Sequence, residues 1–77
     1  MKLILDIETN GFLDVLDKVH CMVFKDIETQ KVYSYNPNQI NEGLNLLKKA
    51  TLIIGHSVMG FDLPAIEKVT GYKYEGE

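Results

Sequence analysis

Asp6 and Glu8 stand two residues apart in Asp6-Ile7-Glu8-Thr9, directly after the apolar run Leu3-Ile4-Leu5. In a β-strand the side-chain period is two, so both carboxylates point to one face of a sheet. Like charges held that close repel, and each raises the other's pKa unless a cation sits between them. Hard divalent cations such as Mg²⁺ and Mn²⁺ favour carboxylate oxygens of this kind. The pair alone is a weak signal, because acidic strand ends are common. Asp62 strengthens it. This residue opens a predicted helix that follows a second parallel strand, which carries it towards the same sheet end. On its own Asp62 reads as an ordinary helix N-cap. Three unneutralised carboxylates converging on one edge, however, would destabilise a fold. Two-metal sites, with ions about 3.5–4 Å apart, use such clusters for in-line phosphoryl displacement.

The elements that must position these residues follow from local patterning. Lys2 to Asp6 predicts a continuous apolar first strand, buried as a central strand would be. Asn10-Gly11 signals a turn, and the stretch to Lys18 reads as an irregular loop. Val19 to Phe24 and Lys31 to Tyr35 are β-rich runs separated by polar Lys25-Asp26-Ile27-Glu28-Thr29-Gln30, an antiparallel hairpin. Asn36-Pro37-Asn38 breaks the chain. Gln39 to Ala50 places Ile40, Leu44 and Leu47 at helical spacing and ends in Lys48-Lys49, which suits a helix C-terminus. Thr51 to Gly55 predicts a short strand. Leu63 to Thr70 predicts a helix, with Pro64 in its first turn and Gly71 past its end. The tail from Tyr72 to Glu77 has no pattern and is expected to fray.

The resulting order is β-β-β-α-β-α, an α/β fold with a mixed sheet. Its last strand runs parallel to the first, which lies centrally, with the hairpin on its other side. The carboxyl ends of the parallel strands then meet where strand order switches, the usual place for an α/β site. Asp6 and Glu8 mark one of these ends and Gly55-His56-Ser57 the other.

Seventy-seven residues make one small domain, near the size at which a single core suffices unaided. A net charge of −3 argues against a broadly basic nucleic-acid surface, although carboxylates loaded with cations are locally positive. The single cysteine, Cys21, excludes an intrachain disulfide framework and fits a reducing cytosol. The longest apolar runs are far shorter than a membrane span. Composition and the start of the chain therefore predict a soluble cytoplasmic domain with no membrane segment.

With both motifs assembled, the chain resembles the DEDD-type 3′–5′ exonucleases, proofreading domains of ribonuclease-H-like fold. Asp6-Ile7-Glu8-Thr9-Asn10-Gly11 is similar to their first motif. Gly55-His56-Ser57-Val58-Met59-Gly60-Phe61-Asp62-Leu63-Pro64-Ala65-Ile66 resembles the second, usually H-N-x-x-x-F-D before a helix, with Ser57 standing where Asn is usual. The resemblance is strongest to the N-terminal exonuclease domain of phage family-A DNA polymerases. It implies Asp6, Glu8 and Asp62 as catalytic metal ligands for two Mg²⁺ or Mn²⁺ ions. It also implies substrate contacts from Thr9, Asn10, Phe12, Leu13, His56 and Phe61, and a single-stranded DNA 3′ end as substrate, in the cytoplasm of a bacterial or phage-infected cell. For Phe12 and Leu13, core packing is an equally good reading, and for His56 support of its loop is the plainer one.

The family's third motif, a Tyr or His followed by a fourth carboxylate on a later helix, has no match. Tyr72 and Glu77 stand in the wrong context for it. Residues 1–77 thus read as a partial exonuclease domain, truncated before the last strand and helices and weak or inactive in isolation. Two alternatives stand beside this. One is an incomplete module that binds single strands, the remainder of a polymerase chain, or itself. The other is a plain α/β domain with a coincidental acidic strand end. The repeat Asp26-Ile27-Glu28-Thr29 reads as a solvated turn, His20 as a strand histidine, Cys21 as a small packing residue, and the tyrosines as packing aromatics.

Overall fold

A computed structural model describes residues 1–12, 14, 16–55 and 58–76. Strand β1 (Lys2–Thr9) is flanked by antiparallel β2 (Val19–Asp26), which pairs in turn with antiparallel β3 (Val32–Tyr35). Helix α1 (Ile40–Lys49) leads to β4 (Leu52–Ile54), parallel to β1, and helix α2 (Leu63–Thr70) follows. The sheet order β3-β2-β1-β4 puts β1 inside, as the sequence predicts. The fold is mixed α/β.

Strict alternation governs β1. Leu3, Leu5 and Ile7 are buried, whereas Lys2, Ile4, Asp6 and Glu8 are exposed. The inward set joins Met22 and Phe24 of β2, Leu44 and Leu47 of α1, and Ala65 and Ile66 of α2 in one core. Phe24 meets Tyr35 edge-on, with centroids 6.0 Å apart, which adds directional aromatic packing. The predicted burial of β1 on both sides is corrected here. No described element covers the second face, where Ile4 and Ile54 remain 39 % and 44 % exposed.

Turn chemistry closes each connection. The Asp26 carboxylate accepts from the Glu28 and Thr29 amides at 2.9 and 3.3 Å, and Gln30 takes a positive φ of 65° to close the β2–β3 hairpin. A 3₁₀ turn (Pro37–Gln39) precedes α1 and is capped reciprocally: Asn36 accepts from Asn38, and Gln39 accepts from the Asn36 amide. Gly71 ends α2 at φ 80°, a left-handed position that glycine adopts without steric cost.

Beyond Gly71 the tail is docked, which corrects the expected fraying. Tyr72 and Tyr74 pack partly buried against the core, and the Tyr74 hydroxyl donates to the Ala50 carbonyl at 3.1 Å. Two amphipathic rings supply the apolar area that periodicity alone did not reveal. Among the described residues, no helix is long and apolar enough to cross a membrane.

Candidate functional site

Asp6 lies within β1 rather than at its end, because the strand runs on to Thr9. Glu8 is the next residue on the same exposed face, and a register shift between Glu8 and Thr9 terminates regular pairing with β2. β4 runs beside Lys2 to Ile4, so Gly55 emerges next to Leu5 and Asp6. A groove of about 470 Å³, lined by Ile4, Leu5, Asp6, Ile54 and Gly55, opens there on the uncovered face of the sheet.

Asp62 arrives from the other side. A π-helical turn (Val58–Asp62) packs against β1 and runs directly into α2, so helical winding starts earlier than the predicted first residue, Leu63. The Asp62 backbone is itself helical (φ −61°, ψ −51°), and its side chain makes no capping hydrogen bond. The N-cap explanation of Asp62 therefore fails. Its side chain is 5 % exposed, in a molecule where only Asp26 is otherwise a buried acid among the described residues. Burial, and secondarily the negative charge of Asp6, push the Asp62 carboxyl up from 3.8 to about 6. Asp26 uses its carboxylate to hold a turn; among the described residues, Asp62 makes no such bond.

The structure thus brings Asp6 and Asp62 together, with Glu8 one strand period along from Asp6. Among the described residues, no three His, Cys, Asp or Glu side chains are gathered closely enough to share one ion. The donor chemistry fits a hard cation: two carboxylates, one buried and lacking a cap, whose repulsion a positive ion would relieve.

Of the expected substrate contacts, Thr9 and Asn10 have structural work. Thr9 Oγ1 donates to the Gly11 carbonyl at 2.7 Å. Asn10 Oδ1 accepts from the Asp17 and Lys18 amides, both at 3.1 Å, and its amide nitrogen donates to Asp17 Oδ1. Asn10 therefore closes the loop that presents Phe12, which is 83 % exposed. We expect Asn10→Ala to cost about 1–2 kcal/mol and to speed hydrogen exchange at the Asp17 and Lys18 amides. Unchanged exchange there would contradict the role. Phe61 is half-buried against the core. Leu13, His56, Ser57 and Glu77 lie outside the described residues. The sequence motif contains Gly55 and Met59 but gives neither a role of its own: the close backbone approach of Gly55 carries no periodic signal, and Met59 is an apolar side chain 82 % exposed beside the site.

Comparison with known proteins bears on this geometry. The chain is 34 % identical over 71 residues to the DNA-directed DNA polymerase of Enterobacteria phage T3, a match covering 87 % of this chain and 10 % of that protein. Over most of its length, the chain is similar to phage DNA polymerases. The DNA-directed DNA polymerase of Escherichia phage T7 gives 34 % identity over 68 residues, covering 83 % of this chain and again 10 % of the polymerase. The chain thus spans about a tenth of the length of these curated relatives. No family model matches.

Proposed function

We propose that these residues carry the first two motifs of a ribonuclease-H-like, cation-dependent 3′–5′ exonuclease unit of a phage-type DNA polymerase. The observation that carries this reading is the convergence of Asp6 with buried Asp62, which has no capping role. The similarity to phage polymerases supports it. Asp6, Glu8 and Asp62 would hold two Mg²⁺ or Mn²⁺ ions; when bound, such ions activate water and stabilise charge on the leaving 3′ oxygen. Glu8, exposed on the same face as Asp6, orients the attacking water. Phe12 offers an exposed ring on which a terminal base stacks, a contact tolerant of sequence. Thr9 and Asn10 fix the loop that carries that ring, and Phe61 is a further described candidate for contact with the terminal nucleotide. Water adds to the terminal phosphorus, the bond to the 3′ oxygen breaks, and a nucleoside monophosphate leaves a strand shorter by one unit.

The test is digestion of a 5′-labelled single strand at high protein concentration in Mn²⁺. The expected result is slow shortening from the 3′ end that Asp6→Ala abolishes. Laddering that survives Asp6→Ala would sink the assignment.

A second reading rests on the uncovered sheet face, where Ile4, Val32 and Ile54 are exposed together with Asp6 and Glu8. Apolar side chains grouped on an open sheet suit association with a partner chain or a second copy. On this reading the unit binds rather than cleaves. A monodisperse monomer in sedimentation at all concentrations counts against it.

A further inference from the structure

Strand register arranges the uncovered face of the sheet as a gradient of charge. Val32, Lys25, Ile4 and Ile54 stand side by side across β3, β2, β1 and β4. Along β1, Asp6 follows Ile4 by one pleat period and Glu8 follows by the next, whereas Lys2 precedes it by one. Leu3, Leu5, Met22, Phe24 and Ile53 point into the core, so this second set shares the opposite face. The face thus runs from ammonium groups at one end, past an apolar band, to carboxylates at the other. Among the described residues, the side chains of Lys2, Lys25, Asp6 and Glu8 enter no hydrogen bond or ion pair with one another.

Such a gradient is complementary to itself when reversed. A two-fold axis lying across the strands sets β1 antiparallel over β1 of a second copy. Ile4 and Ile54 then meet the same residues of that copy, and Lys2 and Lys25 are brought towards its Asp6 and Glu8. An axis along the strands would instead stack acids on acids, which the charges oppose. Facing sheets pack nearly aligned, about 10 Å apart, so the antiparallel pair is also sterically ordinary. Strands spaced about 4.8 Å apart give each copy a face of roughly 400 Å². The pair buries on the order of 800–1,000 Å², the size of a weak, concentration-dependent interface.

We propose that this face docks a second copy of the chain in a two-fold, strand-antiparallel pair that covers Asp6 and Glu8. The proposal deepens the binding reading above and rests on it, independently of the exonuclease reading. Charge order selects the second copy, because a partner must present carboxylates, apolar band and ammonium groups in the reverse sequence.

The experiment is sedimentation equilibrium of the 77-residue chain in EDTA, from micromolar to millimolar concentration. Wild type is expected to pass from monomer to dimer. Lys2→Glu with Lys25→Glu, and separately Asp6→Lys with Glu8→Lys, are each expected to self-associate at least about tenfold more weakly. An equimolar mixture of the two variants is expected to recover the dimer, because an all-acidic face then meets an all-basic one. Lys18→Glu with Lys49→Glu changes net charge as much as the first variant but leaves the face intact, and is expected to pair within about twofold of wild type. Ile54→Asp, on an exposed edge position, is expected to abolish pairing and carries the test where a charge-reversed chain does not fold. Dimers that persist in the reversed variants, or that the Lys18 and Lys49 control also loses, would overturn the proposal while leaving association through another surface. A wild-type monomer at every concentration would overturn both the proposal and the self-association on which it rests.

Discussion

Asp62→Asn is expected to make the metal-free protein more stable at pH 7–8, by about 2 kcal/mol. In the folded chain the Asp62 carboxyl titrates near 6, against 3.8 when free of its surroundings. Folding therefore prefers the protonated acid. Below pH 4 the group is neutral in both states and costs nothing. As pH rises from 4 to 6 the unfolded chain gains by ionising, and stability falls. Above 6 the full penalty, on the order of 2–3 kcal/mol, persists. Asparagine has nearly the same shape and never ionises, so the variant should lose the decline between pH 4 and 6. Denaturant midpoints across pH 3.5–8 check this; parallel wild-type and variant curves would show that Asp62 carries no such strain. Millimolar Mn²⁺ should reverse the order at pH 7.5, because an ion bound only to the folded wild type adds stability by mass action. A residue that weakens the apo fold and strengthens the loaded one is placed for binding, not for architecture.

Gly55→Ala is expected to be strongly destabilising. A Cβ there would lie 2.5 Å from the Leu5 carbonyl oxygen and 2.6 Å from Val58 Cγ2. Neither neighbour yields easily: one is the backbone of the central strand, and the other a buried side chain on the Asp62 turn. Overpacking of this kind costs about 1–3 kcal/mol, which in a domain this small lowers Tm by roughly 5–20 °C. The same displacement moves the Val58–Asp62 turn away from β1, so the variant should also lose most of its stabilisation by Mn²⁺. A Tm within a degree or two of wild type would show that the approach of β4 to β1 is not tight. Gly60 makes the control, since a Cβ there meets nothing within 4 Å.

Local signals carried most of the architecture. Hydrophobic spacing and the Pro64 and Gly71 punctuation give α2 its observed bounds, Leu63–Thr70. The hairpin, the parallel return of β4 and the central place of β1 followed from runs of Val, Ile, Tyr and Phe between polar breaks. What escaped was non-local. An unbroken apolar Leu3-Ile4-Leu5 cannot reveal that only one sheet face is covered, since this depends on what packs above Ile4. The tail is held through Tyr74 and the carbonyl of Ala50, a partner 24 residues away. At the candidate site, the shared face of Asp6 and Glu8 was legible from a period of two, and the approach of Asp62 from the helix that follows the second parallel strand. That Asp62 is buried, uncapped and beside Asp6 required the π-helical turn, which no periodicity announces.

The central claim is that Asp6 and Asp62 jointly seat a divalent cation. Paramagnetic broadening by substoichiometric Mn²⁺ in amide spectra of the uniformly labelled chain tests it most directly. The account predicts selective loss of resonances from residues 5–9 and 58–63, abolished in Asp62→Asn, while Asp26 and Glu28 at the hairpin turn stay sharp. Broadening centred on that turn, or spread evenly over the exposed acids, would contradict it.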